Sequence, residues 1–343
     1  MSLSLSDRRR VGRTALELPV FGFGAAHLGE LYQKLSEAQS DATLEAAWDI
    51  GVRAYDTAAW YGRGLSEHRL GGFLRTRPRD QFTINTKVGR ILIRPADPAS
   101  FSTAPWTGGL PFDVVFDYTY DGIMRSYEQL LQRLALNTVD SLTIHDIDTM
   151  FHTPDQVDFY MKQLTGGGMK ALTELKANGD IKAIGLGNNI PGDLGHKLAE
   201  IDVDFAIVAM PYTLLNQTIL HTDMQLCLER QVGVIIGAPF ASGILVTGSG
   251  AGAMYAYGAA SLEVQAKVRA IEAVCAAHGV SLPVAALQFP LAHPAVVSII
   301  PGAAGPDEVR QNVAALSVSI PAAFWSDLKT QGLIEAEAPV PNS

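Results

Sequence analysis

Short apolar runs recur along this chain, and stretches of helical length and pattern separate them. The runs lie at residues 21–24, 52–56, 82–86, 141–145, 181–186, 205–210, 232–236 and 296–300. Helical stretches fall at 36–49, 66–74, 120–134, 169–178, 193–201, 225–231, 262–278 and 321–331. Ser36 or Ser40 can cap the first of these, and Gly51, Asn178-Gly179 and His278-Gly279 supply stops. Strands that alternate with helices at this spacing are parallel strands joined by helical crossovers. Eight such units close most economically into a (β/α)8 TIM barrel, and its size suits 343 residues as one domain spanning 1–343. The competing open sheet wants a Gly-rich phosphate turn after its first strand, and none follows residue 24. Two segments interrupt the repeat. Residues 8–20 read as a β-hairpin capping the barrel bottom, and residues 90–119, with Trp106, Phe112, Phe116 and Tyr118, as a long loop walling the C-terminal mouth. The Gly-rich stretch 248–258, with Met254, Tyr255 and Tyr257, reads as a flexible surface loop, the alternative being a mobile clasp over a bound ligand, and residues 336–343 as a frayed or surface-wrapping tail.

Composition narrows the partners. A net charge of −9 leaves no basic footprint for nucleic acid. Arginines 8–10 follow a weak apolar stretch, the wrong order for a secretory signal, and Gly233, Gly237, Pro239 and Gly243 break the most apolar stretch, so no membrane span is expected. The only cysteines, Cys227 and Cys275, have neither disulfide-framework nor zinc spacing, which suits a reducing cytoplasm. Oligomeric state is not legible.

Four polar residues stand at or just past the ends of apolar runs: Asp56, Tyr61, Lys87 and His145. In a parallel barrel such residues converge on one mouth, whatever their separation in sequence. An acid, a phenol, an ammonium and an imidazole are the parts needed to move a proton beside a hydride. A free phenol ionises near pH ~10, too high for a base at neutrality, and a cation such as Lys87 lowers that value. Tyr61 is thus the expected general acid–base, with Asp56 holding Lys87 and His145 orienting the substrate oxygen. Nicotinamide supplies or accepts the hydride, because no side chain can. His145 and His152 lack a third nearby ligand, so no metal is expected.

The run from Tyr55 to Gly62, followed by Ser66-Glu67, with Lys87 and Ile144-His145 ending later strands, resembles the aldo-keto reductase family. The resemblance spans Gly12 to Asn312 and implies an eight-stranded barrel that binds NAD(P) without a Rossmann fold. It implies that Asn188 contacts the nicotinamide amide, with Gly187 where the family usually has Ser. The family's Gln under the ring falls on Ala209, and its stacking aromatic on Gly237, before Ala238-Pro239 of the expected cofactor wall. Members that prefer NADP usually carry Lys-Ser and, further on, Arg after the proline of the last strand; here Gly302, Ala303 and Glu308 stand instead. Glu308 would repel a 2′-phosphate and accept a hydrogen bond from a 2′-hydroxyl, Arg310 faces another side of its helix, and Asn312 matches the adenine-contacting Asn. NAD is therefore the expected cofactor. The wording from Ile144 to Asp148, Tyr118 to Gly122 and Tyr212 to Leu215 resembles a branch that oxidises cyclic hemiacetals to lactones. That branch includes D-threo-aldose (L-fucose), L-galactose and pyridoxal 4-dehydrogenases. Trp60, Trp106 and Tyr118 are the candidate aromatic platform, and His27 and Glu30 candidate polar contacts at the mouth. Two alternatives stay open: an NADPH-dependent aldehyde or ketone reductase, and a nucleotide-sensing regulatory subunit.

Overall fold

A computed structural model describes residues 3–256 and 258–341, so Tyr257 and the extreme termini lie outside the described residues. Eight strands form one sheet: β1 (Phe23–Gly24), β2 (Ala54–Asp56), β3 (Thr83–Val88), β4 (Ser141–Ile144), β5 (Ala183–Asn188), β6 (Phe205–Val208), β7 (Gly233–Ile236) and β8 (Val296–Ile299). Each pairs in parallel with its sequence neighbour. The segment leading into β1 closes the ring on β8. Gly22 N donates to Ile299 O (2.8 Å), Ile299 N to Val20 O (2.9 Å) and Gly24 N to Pro301 O (3.0 Å). Nearly every barrel-strand residue is buried, as parallel strands covered by helices require.

The N-terminal hairpin pairs Arg8–Arg10 with Glu17–Pro19 and plugs the lower end of the barrel. Its Val11 and Leu16 pack with Phe205, Ile207, Ile235 and Val297. Gly12 permits the turn: its φ is +52°, and a Cβ there would lie 2.2 Å from Asp204 O.

Helices Glu37–Asp49, Leu65–Leu74, Tyr120–Leu134 and Leu262–His278 occupy the expected stretches, the first capped by Ser36 Oγ accepting from Gln39 N (3.2 Å). Elsewhere the structure departs from the pattern. The fourth crossover is two helices, Pro154–Gln163 and Met169–Ala177, fused through a π-helical turn at Leu164–Gly168. Helix Leu282–Leu291 is absent from the amphipathic reading because it is buried nearly all round and so carries no polar stripe. Residues 90–119 are ordered by an antiparallel hairpin, Arg90–Ile93 with Asp113–Phe116. Within 248–258, Met254–Tyr255 pairs with Gly258–Ala259. The tail is not frayed before residue 341, since Ala338 is completely buried in the core. Among the described residues no single helix is long and apolar enough to cross a membrane.

Candidate active site

Strand register assembles the proton-handling groups. Asp56, the last residue of β2, lies opposite Asn85, and Lys87, two residues further along β3 on the same face, lies opposite Thr143. Lys87 Nζ spends its three protons on Asp56 Oδ2 (2.7 Å), Thr57 O (2.8 Å) and Tyr61 Oη (3.0 Å). Asp56 is held in turn by Asn85 Nδ2 at 2.6 Å, and Asn85 Oδ1 accepts from Ser141 Oγ (2.9 Å) and Thr143 Oγ1 (3.1 Å).

Tyr61 sits on a turn packed backbone against backbone. A Cβ on Gly29 would fall 2.4 Å from Tyr61 C, and one on Gly62, whose φ is +62°, 2.6 Å from Gly29 O. Ser66 Oγ pins the same turn, donating to Ala25 O (2.7 Å) and sharing a hydrogen bond with Thr57 Oγ1 (2.8 Å). Buried Glu67 accepts from Thr86 Oγ1 (2.7 Å) and pairs with Arg133 (2.5 Å). Ser66-Glu67 thus anchors the Tyr61 turn to β3.

Burial opposes the Lys87 charge, yet Asp56 and then Tyr61 outweigh it and hold Lys87 above an ordinary lysine. For Tyr61 the balance differs from the expectation. Burial pushes the phenol up, Lys87 pulls it back, Asp56 adds to the rise, and the net direction is upward. In the free protein desolvation exceeds the help of one cation that is itself largely satisfied by Asp56.

His145 follows β4. Its N–H donates to Val88 O (3.1 Å), and its carbonyl accepts from Tyr118 Oη at 2.5 Å. Burial first, then Arg90 and Lys87, hold the imidazole well below an ordinary histidine, so it is neutral. Its Nε2 lies 3.0 Å from Asp146 Oδ2, and Nδ1 is buried without a partner in the protein. The two rings of Tyr61 and His145 meet edge to face, 6.2 Å between centroids.

Two of the candidate platform aromatics cluster with them. Trp106 is buried 5.8 Å from the Tyr61 ring and 5.7 Å from Trp60, and Phe151 lies 6.5 Å from Trp60. Tyr118 does not line the mouth: it is completely buried behind His145. Glu30 is also not free for a ligand, being buried in an ion pair with Arg69 (3.1 Å). His27 lies against the loop after β8, where a Cβ on Gly302 would come 2.4 Å from its Nδ1. Burial lowers its pKa, with Glu308 opposing.

The remaining candidates lie on the β5, β7 and β8 side. Asn188 ends β5, buried; its Nδ2 donates to Ile190 O (3.3 Å), and its Oδ1 has no partner in the protein. Gly187 precedes it with room for a side chain, the nearest atom to a Cβ being Ile144 O at 3.4 Å. Pro239 is buried in the turn after β7. After β8, Ala303 is buried against the core. Exposed Glu308 accepts from Ala304 N (2.8 Å), Asn312 Nδ2 donates to Gly302 O (3.4 Å), and Arg310 pairs with Asp307 (2.8 Å). Helix Pro306–Ala314 begins at Gly305 with no side-chain cap.

Three groups that complete this network escape the sequence reading: Asn85, Arg90 and Asp146. Asn85 had a signal, since it shares a strand face with Lys87. Arg90 lies in the segment read as loop, and Asp146 was only one letter of a motif.

The profile of the aldo/keto reductase family matches residues 20–331. The chain is 41% identical to pyridoxal 4-dehydrogenase of Microbacterium luteolum, over 97% of this chain and 100% of that one. It is 37% identical to D-threo-aldose 1-dehydrogenase of a Pseudomonas species, over 93% of this chain and 95% of that one. An aldo-keto reductase of Bacillus halodurans, solved in its holo form, superposes with a TM-score of 0.71 at 22% identity, covering 98% of both chains, a likeness of fold.

Proposed function

The chain belongs to the aldo/keto reductase family and is an NAD(P)-dependent oxidoreductase; from that premise we propose that it oxidises a cyclic hemiacetal to its lactone, with NAD as acceptor. The observation that carries this reading is the chain of contacts Asp56–Lys87–Tyr61, at 2.7 and 3.0 Å, beside a neutral His145. A binding or sensing module has no use for a buried ammonium that spends one of its protons on a phenol.

The residues present fit a nicotinamide cofactor. The unpartnered Asn188 Oδ1 is an acceptor for the carboxamide, and the backbone N–H groups of Asp307 and Glu308, in the first turn of a helix with no side-chain cap, suit phosphate oxygens. Oxidised nicotinamide, when bound, supplies the hydride acceptor and a positive charge. Tyr61 Oη receives the proton of the hemiacetal hydroxyl, and Lys87 holds the resulting charge distribution in place. The His145 imidazole steadies the same oxygen as it becomes the lactone carbonyl. The carbon loses a hydride, the oxygen a proton, and a C=O bond forms. Trp60, Trp106 and Phe151 supply a wall for a flat or ring-shaped substrate and keep water from the reacting oxygen. That wall, with the fuller match to a pyridoxal dehydrogenase, favours pyridoxal over an aldose.

NAD is favoured because Glu308 is a carboxylate fixed on Ala304 N, and the nearby Arg310 is engaged by Asp307. A 2′-phosphate would meet repulsion there. One domain over 1–343 and a cytoplasmic location complete the proposal, the latter supported by two buried, unpaired cysteines.

The test follows reduced-nicotinamide absorbance at alkaline pH, with NAD and NADP in parallel. Pyridoxal, L-fucose, D-arabinose and L-galactose are the substrates. A rate with NAD on pyridoxal, lost in Tyr61→Phe, is the expected result. Turnover confined to NADPH and simple aldehydes would overturn it.

A further inference from the structure

Resting on that reading of the site, we propose that Arg90, acting through Asp146, is the positioning residue that fixes His145 in the tautomer with its proton on Nε2. The geometry points there from both ends. Asp146 Oδ2 stands 3.0 Å from His145 Nε2. A ring lone pair at that distance from a carboxylate oxygen is repelled, and a ring N–H is attracted. A neutral imidazole carries one proton, so Nδ1, buried without a partner in the protein, keeps the lone pair. Asp146 thereby keeps the single proton on Nε2 in the free protein, and a bound substrate oxygen shares that Nε2–H with Asp146 Oδ2.

That arrangement holds only while Asp146 is charged, and its surroundings work against charge. Asp146 is buried, and Asp148 shares Asn189 with it: Asn189 Nδ2 donates to Asp146 Oδ1 (2.9 Å) and Asp148 Oδ2 (3.0 Å). The compensating group is Arg90. Its guanidinium lies 2.6 Å from Asp146 Oδ2, and the residue is 1% exposed. The guanidinium is held over three rings, Phe151 (4.5 Å), Trp60 (4.8 Å) and Phe116 (4.9 Å). The Arg90 hairpin and the β4 loop that carries Asp146 thus meet in a single ion pair. Without the cation a carboxyl in this setting takes up a proton. Its O–H then donates to the Nε2 lone pair, the ring proton moves to Nδ1, and the substrate oxygen loses its donor.

The experiment reads the tautomer rather than activity. Two-bond proton–nitrogen spectra are recorded on the 15N-histidine-labelled full chain, with His145 assigned by its absence in His145→Gln. In the wild type we expect Nε2 protonated and Nδ1 bare. Arg90→Gln reverses the two, and Arg90→Lys, which keeps a cation facing Asp146, retains the wild-type pattern. Turnover in Arg90→Gln falls by on the order of 10²-fold, the usual size of one lost acid–base partner, with cofactor affinity unchanged. A wild-type His145 carrying its proton on Nδ1 overturns the proposal with no variant needed. So does an Arg90→Gln protein that melts as a folded domain and keeps the wild-type tautomer. If the tautomers behave as expected and no hemiacetal is turned over, the substrate reading fails and the role of Arg90 stands.

Discussion

At the scale of single residues, the tension lies at Tyr61. Its hydroxyl is deep enough that burial outweighs Lys87, and the free protein holds it above an ordinary tyrosine. The base form therefore grows only as pH rises, so kcat/KM for oxidation should climb through the alkaline range. Lys87→Met removes the one group pulling the phenol down. The alkaline limb then moves to higher pH, and the rate at neutrality falls on the order of 10²- to 10⁴-fold. Tyr61→Phe loses a similar factor but has no alkaline limb, and it still quenches or enhances cofactor fluorescence on binding. A Lys87→Met profile with an unshifted limb would sink this account. The same residues show how much of the site was legible. Asp56, Lys87 and His145 announced themselves only as a set, because polar groups ending parallel strands converge on one mouth, and Tyr61 because it closes the Tyr55–Gly62 motif. The Lys87–Asp56 contact followed from chemistry, but the net direction at Tyr61 did not, since it depends on burial that no motif encodes. Asp146 also hid in plain view: its partner Arg90 is 56 positions away and meets it only through a hairpin.

At the scale of elements, two devices carry separable predictions. The N-terminal hairpin is the floor of the barrel, with Leu16 inside the lower core. Leu16→Ala leaves a cavity there and should cost about 2–5 kcal/mol. Gly12→Ala forces a side chain into both a left-handed backbone and Asp204 O, so it should destabilise as well, without any change in apolar area. Urea midpoints of both variants check this, with turnover per folded molecule expected to stay at the wild-type value because the site is at the other end. The second device is the loop and helix after β8. Glu308→Arg replaces the anion on Ala304 N by a cation and should raise kcat/KM with NADP relative to NAD by at least about tenfold, one phosphate contact's worth. An unchanged ratio would place cofactor choice elsewhere. Barrel strands were readable because each is a bounded apolar run, whereas Leu282–Leu291 was not, since a helix apolar on every side has no period to detect. The π-turn at Leu164–Gly168 was equally silent, because its Thr-Gly-Gly-Gly run reads locally as a helix stop.

At the scale of the whole molecule, buried titratable groups, most of them outside the chemistry, set the pH range over which the barrel persists. His293 is buried beside Tyr212 and accepts from Ala295 N (3.2 Å), and burial lowers its pKa to about 4. His27, His145 and His152 are lowered too, each chiefly by burial. As pH falls below about 6.5 the unfolded chain takes up these protons first, so stability is lost progressively until the folded values are passed. Asp146 and Asp223, raised by burial, act in the opposite sense and offset part of that loss. On the alkaline side burial raises Cys275 to about 11 and Cys227 to about 12, and raises Tyr55, Tyr118 and Tyr212 as well. There the unfolded chain releases protons first, and stability falls again as pH passes about 9. The melting temperature should therefore form a plateau between these edges. His293→Asn keeps an acceptor for Ala295 N but has no proton to gain, so its acid edge should be shallower than the wild type's while the alkaline edge is unchanged. Parallel edges in the two proteins would show that His293 is protonated in the fold as readily as in the open chain, and that its burial beside Tyr212 costs the charged ring nothing.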